Sequence, residues 1–145
     1  MKAKVLRACA LLLLAATAAR GQQPPSEDPI GQNFFAPELV MQHQEAIGLN
    51  DEQKSYLKTE IRQAQLKFTE LQWKLQDEME KLASLAKQPH IDEQGLLVQL
   101  EKLLTAEREI KRAQLTLLVR IKNKLTPEQQ AKLLEIRSKS ANKSN

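Results

Sequence analysis

The chain has 145 residues, 22 Lys and Arg against 18 Asp and Glu, and a composition that is 41% hydrophobic but only 3% aromatic. Four of the basic residues (Lys2, Lys4, Arg7 and Arg20) and none of the acidic ones lie in the first 21 positions, so the remainder balances at 18 against 18 and lacks the basic excess of a nucleic-acid protein. The single cysteine, Cys9, also falls there, which leaves the rest of the chain without a disulfide, a thiolate metal site or a cysteine nucleophile.

Residues 1–21 read as a secretory signal peptide. Lys2, Lys4 and Arg7 form a basic start, and Ala8 to Ala19 is an apolar stretch too short to span a bilayer. Ala19 and Gly21 place small residues at the cleavage-determining positions, with cutting expected before Gln22. No integral membrane segment is then expected in the exported chain. Residues 22–33 are rich in Pro and polar side chains and read as a disordered leader.

Residues 34–139 read as one all-α domain. Pro37 and Glu38 suit a first helical turn, so a short helix is expected from Pro37 to Ala46, ended by Gly48. From Asp51 to Lys87 there is neither Gly nor Pro. Leu57, Ile61, Ala64, Phe68, Leu71, Leu75, Met79 and Leu82 recur at helical spacing, which predicts a rod. Gln88-Pro89-His90-Ile91 breaks it, and Asp92 is placed to cap a second rod that runs to Lys124. So short a break makes an antiparallel hairpin, pairing Leu57 with Ile121, Leu75 with Leu104 and Leu82 with Leu97. Leu115, Leu117, Leu118, Val119 and Ile121 nearly encircle the second rod. They call for cover from the short terminal helices and from a second copy of the chain. A closing helix is expected from Pro127 to Lys139, with residues 140–145 as a disordered tail.

One phrase occurs twice. Leu49-Asn50-Asp51-Glu52-Gln53 opens the first rod, and Leu125-Thr126-Pro127-Glu128-Gln129 opens the closing helix. Asn50 and Thr126 are N-cap types. Gln53 and Gln129 lie three residues on, where a side chain reaches back to the cap's own N–H and completes a capping box. Leu49 and Leu125 precede the caps as apolar staples. All six residues are assigned a structural, helix-capping role.

This paired phrase, flanking two long rods behind a signal peptide, resembles the Spy/CpxP family of periplasmic proteins, known for a repeated Leu-Thr-x-x-Gln motif. The likeness covers residues 45–138, with Asn50 standing where the family has Thr. The stretch Leu103-Leu104-Thr105-Ala106-Glu107-Arg108, and Pro37 to His43, are similar to the CnrX-like metal-sensing branch. The resemblance implies a hooked helical hairpin that forms a homodimer in the periplasm. In the chaperone members it implies ATP-independent holding of unfolded envelope proteins. In the sensor members it implies signalling to a membrane partner.

Candidate ligands are sparse. His43 and His90 are isolated, and Ile47 occupies the position four residues after His43 where a second histidine would complete a helical pair. No metal site, cofactor or catalytic constellation is therefore assigned, and no enzyme activity is expected. Leu66 and Trp73 lie opposite the main stripe and are candidates for a dimer or client surface, or for contact with a terminal helix of the same chain. The reading is a periplasmic chaperone or envelope-stress adaptor. The alternatives are a heavy-metal sensor acting on a membrane-bound signalling partner, and a structural helical interaction module.

Overall fold

A computed structural model describes residues 31–142. The expected signal peptide, most of the expected leader and the last three residues lie outside the described part. The described residues are all-helical. A single 3-10 turn, Gly31–Asn33, is followed by α1 (Pro37–Gln42), α2 (Asp51–Ala86), α3 (Glu93–Lys124) and α4 (Pro127–Asn142). Of these, α2 and α3 pack along each other as the antiparallel hairpin. With 36 residues, α2 is about 54 Å long at 1.5 Å per residue.

Two boundaries differ from the sequence expectation, each for a local reason. Helix α1 stops at Gln42, and residues 43–48 form a series of turns. There Ile47 N donates to His43 O at 3.0 Å and Leu49 N to Gln44 O at 2.9 Å. Leaving the helix axis lets Ile47 and Leu49 both turn inward, where each is buried. Gly48 makes the exit possible with φ +68°, a left-handed conformation that costs a glycine little. At the other end, α4 continues to Asn142. No Gly or Pro stops it, and Ser138 and Ser140 donate back to Glu135 O and Ile136 O within the helix.

The hydrophobic core sits at the end of the hairpin where the short elements gather. Phe35 and Val40 come from the N-terminal segment, and Ile47 and Leu49 from the turn. Leu57, Leu117 and Ile121 come from the rods, and Leu125 and Leu133 from the closing hook. Ile61 and Phe68 pack against this cluster from α2. We call this end the head. Beyond Phe68 the rods have only each other, and we call that part the arm. Leu71, Leu103 and Ala106 are buried there, whereas Met79, Leu97, Val98 and Leu104 are 38–49% exposed.

Two of the three predicted pairs come together. Leu57 and Ile121 share the head core, and Leu75 and Leu104 line one shallow groove. Arg120 pairs with Glu60 at 2.7 Å and Lys74 with Glu109 at 3.0 Å across the two rods. Nearer the tip, Gln99 donates to the backbone oxygen of Glu78 at 3.0 Å. Cover on the encircled part of α3 is incomplete. Leu117 and Ile121 are buried, but Leu115 and Val119 stay 45% and 38% exposed, because the terminal elements pack on the head side alone.

The hook is thus part of the core. Leu133→Ala removes a side chain with 0% exposure and is expected to cost about 2–4 kcal/mol in urea denaturation. Leu134→Ala, at a position 46% exposed on the same helix, should change stability by less than about 0.5 kcal/mol.

Candidate functional site

The two helix starts meet. At the start of α2, Gln53 N donates to Asn50 Oδ1 at 2.8 Å, and Asn50 N donates to Gln53 Oε1 at 3.1 Å. At the start of α4, Gln129 N donates to Thr126 Oγ1 at 3.3 Å, and Thr126 N donates to Gln129 Oε1 at 2.9 Å. Both capping boxes are complete. The antiparallel hairpin returns the end of α3, and with it the start of α4, to the start of α2. The two glutamines therefore lie side by side in the interior, 6% and 7% exposed.

They bond each other reciprocally. Gln53 Nε2 donates to Gln129 Oε1 at 2.8 Å, and Gln129 Nε2 donates to Gln53 Oε1 at 3.0 Å. The second N–H of Gln53 goes to Lys124 O at 2.8 Å, the last residue of α3. The second N–H of Gln129 goes to Gly48 O at 3.1 Å, in the turn before α2. Each amide thus uses two donors and accepts twice, which exhausts its capacity. Sequence reasoning found the caps but missed this pairing. The signal available was that each glutamine retains an unspent NH2 after closing its box, at helix ends the hairpin must bring together.

Charged groups ring this lock. Lys124 Nζ pairs with Glu52 at 2.6 Å and lies 5.0 Å from the centre of the Tyr56 ring. The hydrogen bond from Lys124 lowers the pKa of Glu52. Glu128 is likewise held low, by its own backbone N–H and then by the Thr126 hydroxyl, at the positive end of α4. A second clamp, also unforeseen, fixes the N-terminal strap. Lys122 Nζ donates to Asn33 O at 2.7 Å and sits over the Phe34 ring. Arg137 donates to the carbonyls of Gln32 and Phe34 and sits over the Phe35 ring. Among the described residues no buried side-chain nitrogen or oxygen lacks a partner.

Both seams of the hairpin are open. One carries a groove of about 460 Å³, floored by Ala64, Leu71, Ala113 and Leu117 and rimmed by Glu60, Lys67, Glu109, Arg112 and Arg120. The other carries the shallower groove with Leu75, Leu104 and Ile110. Leu66 and Trp73 lie on neither seam. They are 70% and 63% exposed, with no terminal helix over them.

The histidines do not converge. His43 is half-buried in the head, and His90 is exposed in the turn at the hairpin tip. The length of α2 lies between them, roughly 50 Å. Among the described residues there is no group of three or more His, Cys, Asp or Glu side chains that could hold a metal ion. One chain's described residues therefore do not form a fitting donor set for a heavy metal. No helix among them is long and apolar enough to cross a membrane.

These features define an all-α hairpin protein locked at one end. A family model described as heavy-metal resistance matches residues 5–132, and the chain belongs to that family. No curated protein and no solved structure matches the chain.

The lock predicts a strong, non-additive mutational signature. Gln53→Ala or Gln129→Ala strands buried partners and should cost about 2–4 kcal/mol each. The double variant should cost less than the sum, with a coupling of at least about 1 kcal/mol in a denaturation cycle. Acid stability follows from the carboxylates. Glu52, Glu78, Glu109 and Glu135 all lie below their ordinary 4.5. Their partners are Lys124 for Glu52, Gln99 and then Lys81 for Glu78, Lys74 for Glu109, and Lys139 for Glu135. A depressed folded-state pKa adds stability above the unfolded value and loses it as pH falls through the folded value. Thermal midpoints should accordingly hold level through mild acid and fall only below about pH 4.5.

Proposed function

We propose that the chain is an exported, non-enzymatic protein of heavy-metal resistance that works by binding other proteins. In this reading it is a periplasmic, ATP-independent chaperone or envelope-stress adaptor of the Spy/CpxP kind, and it holds unfolded envelope proteins. The observation that carries the reading is the arm. Met79, Leu97, Val98 and Leu104 leave apolar surface in water among charged neighbours such as Glu107, Arg108 and Lys111. Mixed surfaces of this type hold an exposed apolar segment weakly and without a fixed sequence. A homodimer of hairpins, closing over Leu115 and Val119, is the expected assembly.

The family description favours a second reading, a periplasmic heavy-metal sensor of the CnrX kind that signals to a membrane-bound partner. With no donor set gathered among one chain's described residues, that role calls for ligands shared between copies.

The chaperone reading is tested by adding the protein in stoichiometric amounts to an aggregating client. Light scattering should be delayed, and Leu97→Asp with Leu104→Asp should remove most of the delay at a temperature where circular dichroism shows the hairpin still folded. No delay from the parent protein would sink this reading. Calorimetric titration with nickel, cobalt, copper and zinc decides the second, since a sensor must release or absorb heat at micromolar metal.

A further inference from the structure

Leu97, Leu104, Lys111 and Leu118 recur every seven residues along α3 and so share one face, with Arg108 and Lys122 beside them. Leu104, Arg108 and Lys111 line the shallower groove, together with Leu75, Ile110 and Glu107. Neither Arg108 nor Lys111 has an ion pair among the described residues. The larger groove differs, because its Arg120 is held by Glu60 and its Lys67 by Glu70. At the head end of the α3 face, Lys122 Nζ grips Asn33 O at 2.7 Å, and Arg137 grips the carbonyls of Gln32 and Phe34. The chain that precedes Gly31 is therefore delivered at the top of this strip.

We infer that residues 22–30 run back along α3 and dock in the shallower groove, a reversible cover built into the chain. Reach and register carry the assignment. The segment holds Pro24, Pro25 and Pro29, and a Pro-rich chain is extended, advancing about 3.1 Å per residue. Counted back from Asn33, Asp28 and Glu27 lie about 16 and 19 Å away, and Pro25 and Pro24 about 25 and 28 Å. Counted along α3 from Lys122, Lys111 lies about 17 Å away, Arg108 about 21 Å and Leu104 about 27 Å. The two carboxylates thus fall on the two cations that lack partners, the prolines on Leu104, and Ile30 near Leu118. Residues 22–30 carry no cation of their own. Charge alone also admits a second copy, whose Glu101 or Glu107 can meet the same cations. Tethering decides between the two occupants. A segment anchored at Lys122 stays at an effective concentration on the order of millimolar over the strip, however dilute the protein. Its path keeps to the seam, so Leu115 and Val119, on the outer flank, are left for a second copy. Exposed ion pairs add little each, so the cover opens readily. Leu104 also belongs to the client surface; that a client must displace the cover rests on the chaperone reading, whereas the docking does not.

Residues 22–145 contain no cysteine, so Ser26→Cys in that exported chain takes a single nitroxide label. Paramagnetic broadening of backbone amide signals is expected to be strongest from Leu104 to Lys111 and weak along α4. Glu27→Lys with Asp28→Lys should cut it at least about three-fold, and added salt should weaken it as well. Arg108→Glu with Lys111→Glu, combined with that reversed leader, should restore it, a rescue that a folding defect does not mimic. The docking is overturned by broadening that is strongest along α4 or even along the chain, by an undiminished signal in the reversed leader, or by failure of the rescue. It is also overturned if labelled chains broaden the signals of unlabelled, isotope-enriched chains as strongly as their own, because the cover then comes from a second copy. Client holding is read separately. The Glu27→Lys, Asp28→Lys chain should delay light scattering at about half the amount the parent needs, since more of it is open; equal potency removes the cover's action on clients. If neither chain delays scattering, the chaperone reading fails while the broadening still decides the docking.

Discussion

The reciprocal amide bond between Gln53 and Gln129 is the constraint on which the head depends. It joins side chains 76 residues apart and touches more than two elements. Through Lys124 O it fixes where α3 ends, and through Gly48 O it fixes the turn that delivers α2. In each capping box the glutamine oxygen is already committed to the cap's N–H, which orients the amide before it meets its partner. A side chain pre-aimed in this way loses less entropy on bonding. With all four valences of both amides satisfied, burial of this polar pair carries no desolvation debt.

Around that lock the apolar side chains divide unequally. The head collects residues from five segments of chain into one cluster, whereas the arm has two helices to share its stripe. A pair of helices covers one side of each, so an apolar band wider than the contact stays wet. The fold therefore separates a part that supplies stability from a part that keeps apolar surface in water. The chain belongs to the heavy-metal resistance family, and its uncovered surface is polar and apolar by turns rather than shaped to one ligand.

Much of this was legible in the sequence because its signals were local. Uninterrupted helical periodicity, Pro89 at the break and the two Leu-cap-x-x-Gln phrases determine the rods, their antiparallel register and their starts. The misjudged parts depend on tertiary context. Helix α1 is cut short because Ile47 and Leu49 must both reach the core, which a continued helix cannot arrange. The glutamine pair and the Lys122 and Arg137 clamps join positions distant in sequence, and a single chain's pattern does not announce such partners. Leu66 and Trp73 stand apart from the stripe, but periodicity does not say whether a neighbour covers them.

The strap clamp has a geometric consequence. Arg137, near the end of α4, grips the carbonyl of Phe34, close to the first described residue. The first described residues and the last turns of α4 thus lie side by side at the head, while the opposite end of the described part is a turn around Pro89. A body joined close to the described ends acts as a base from which the arm, residues 69–86 of α2, projects outward by about 27 Å. A body held at the head therefore leaves the arm's accessible helices open to their surroundings.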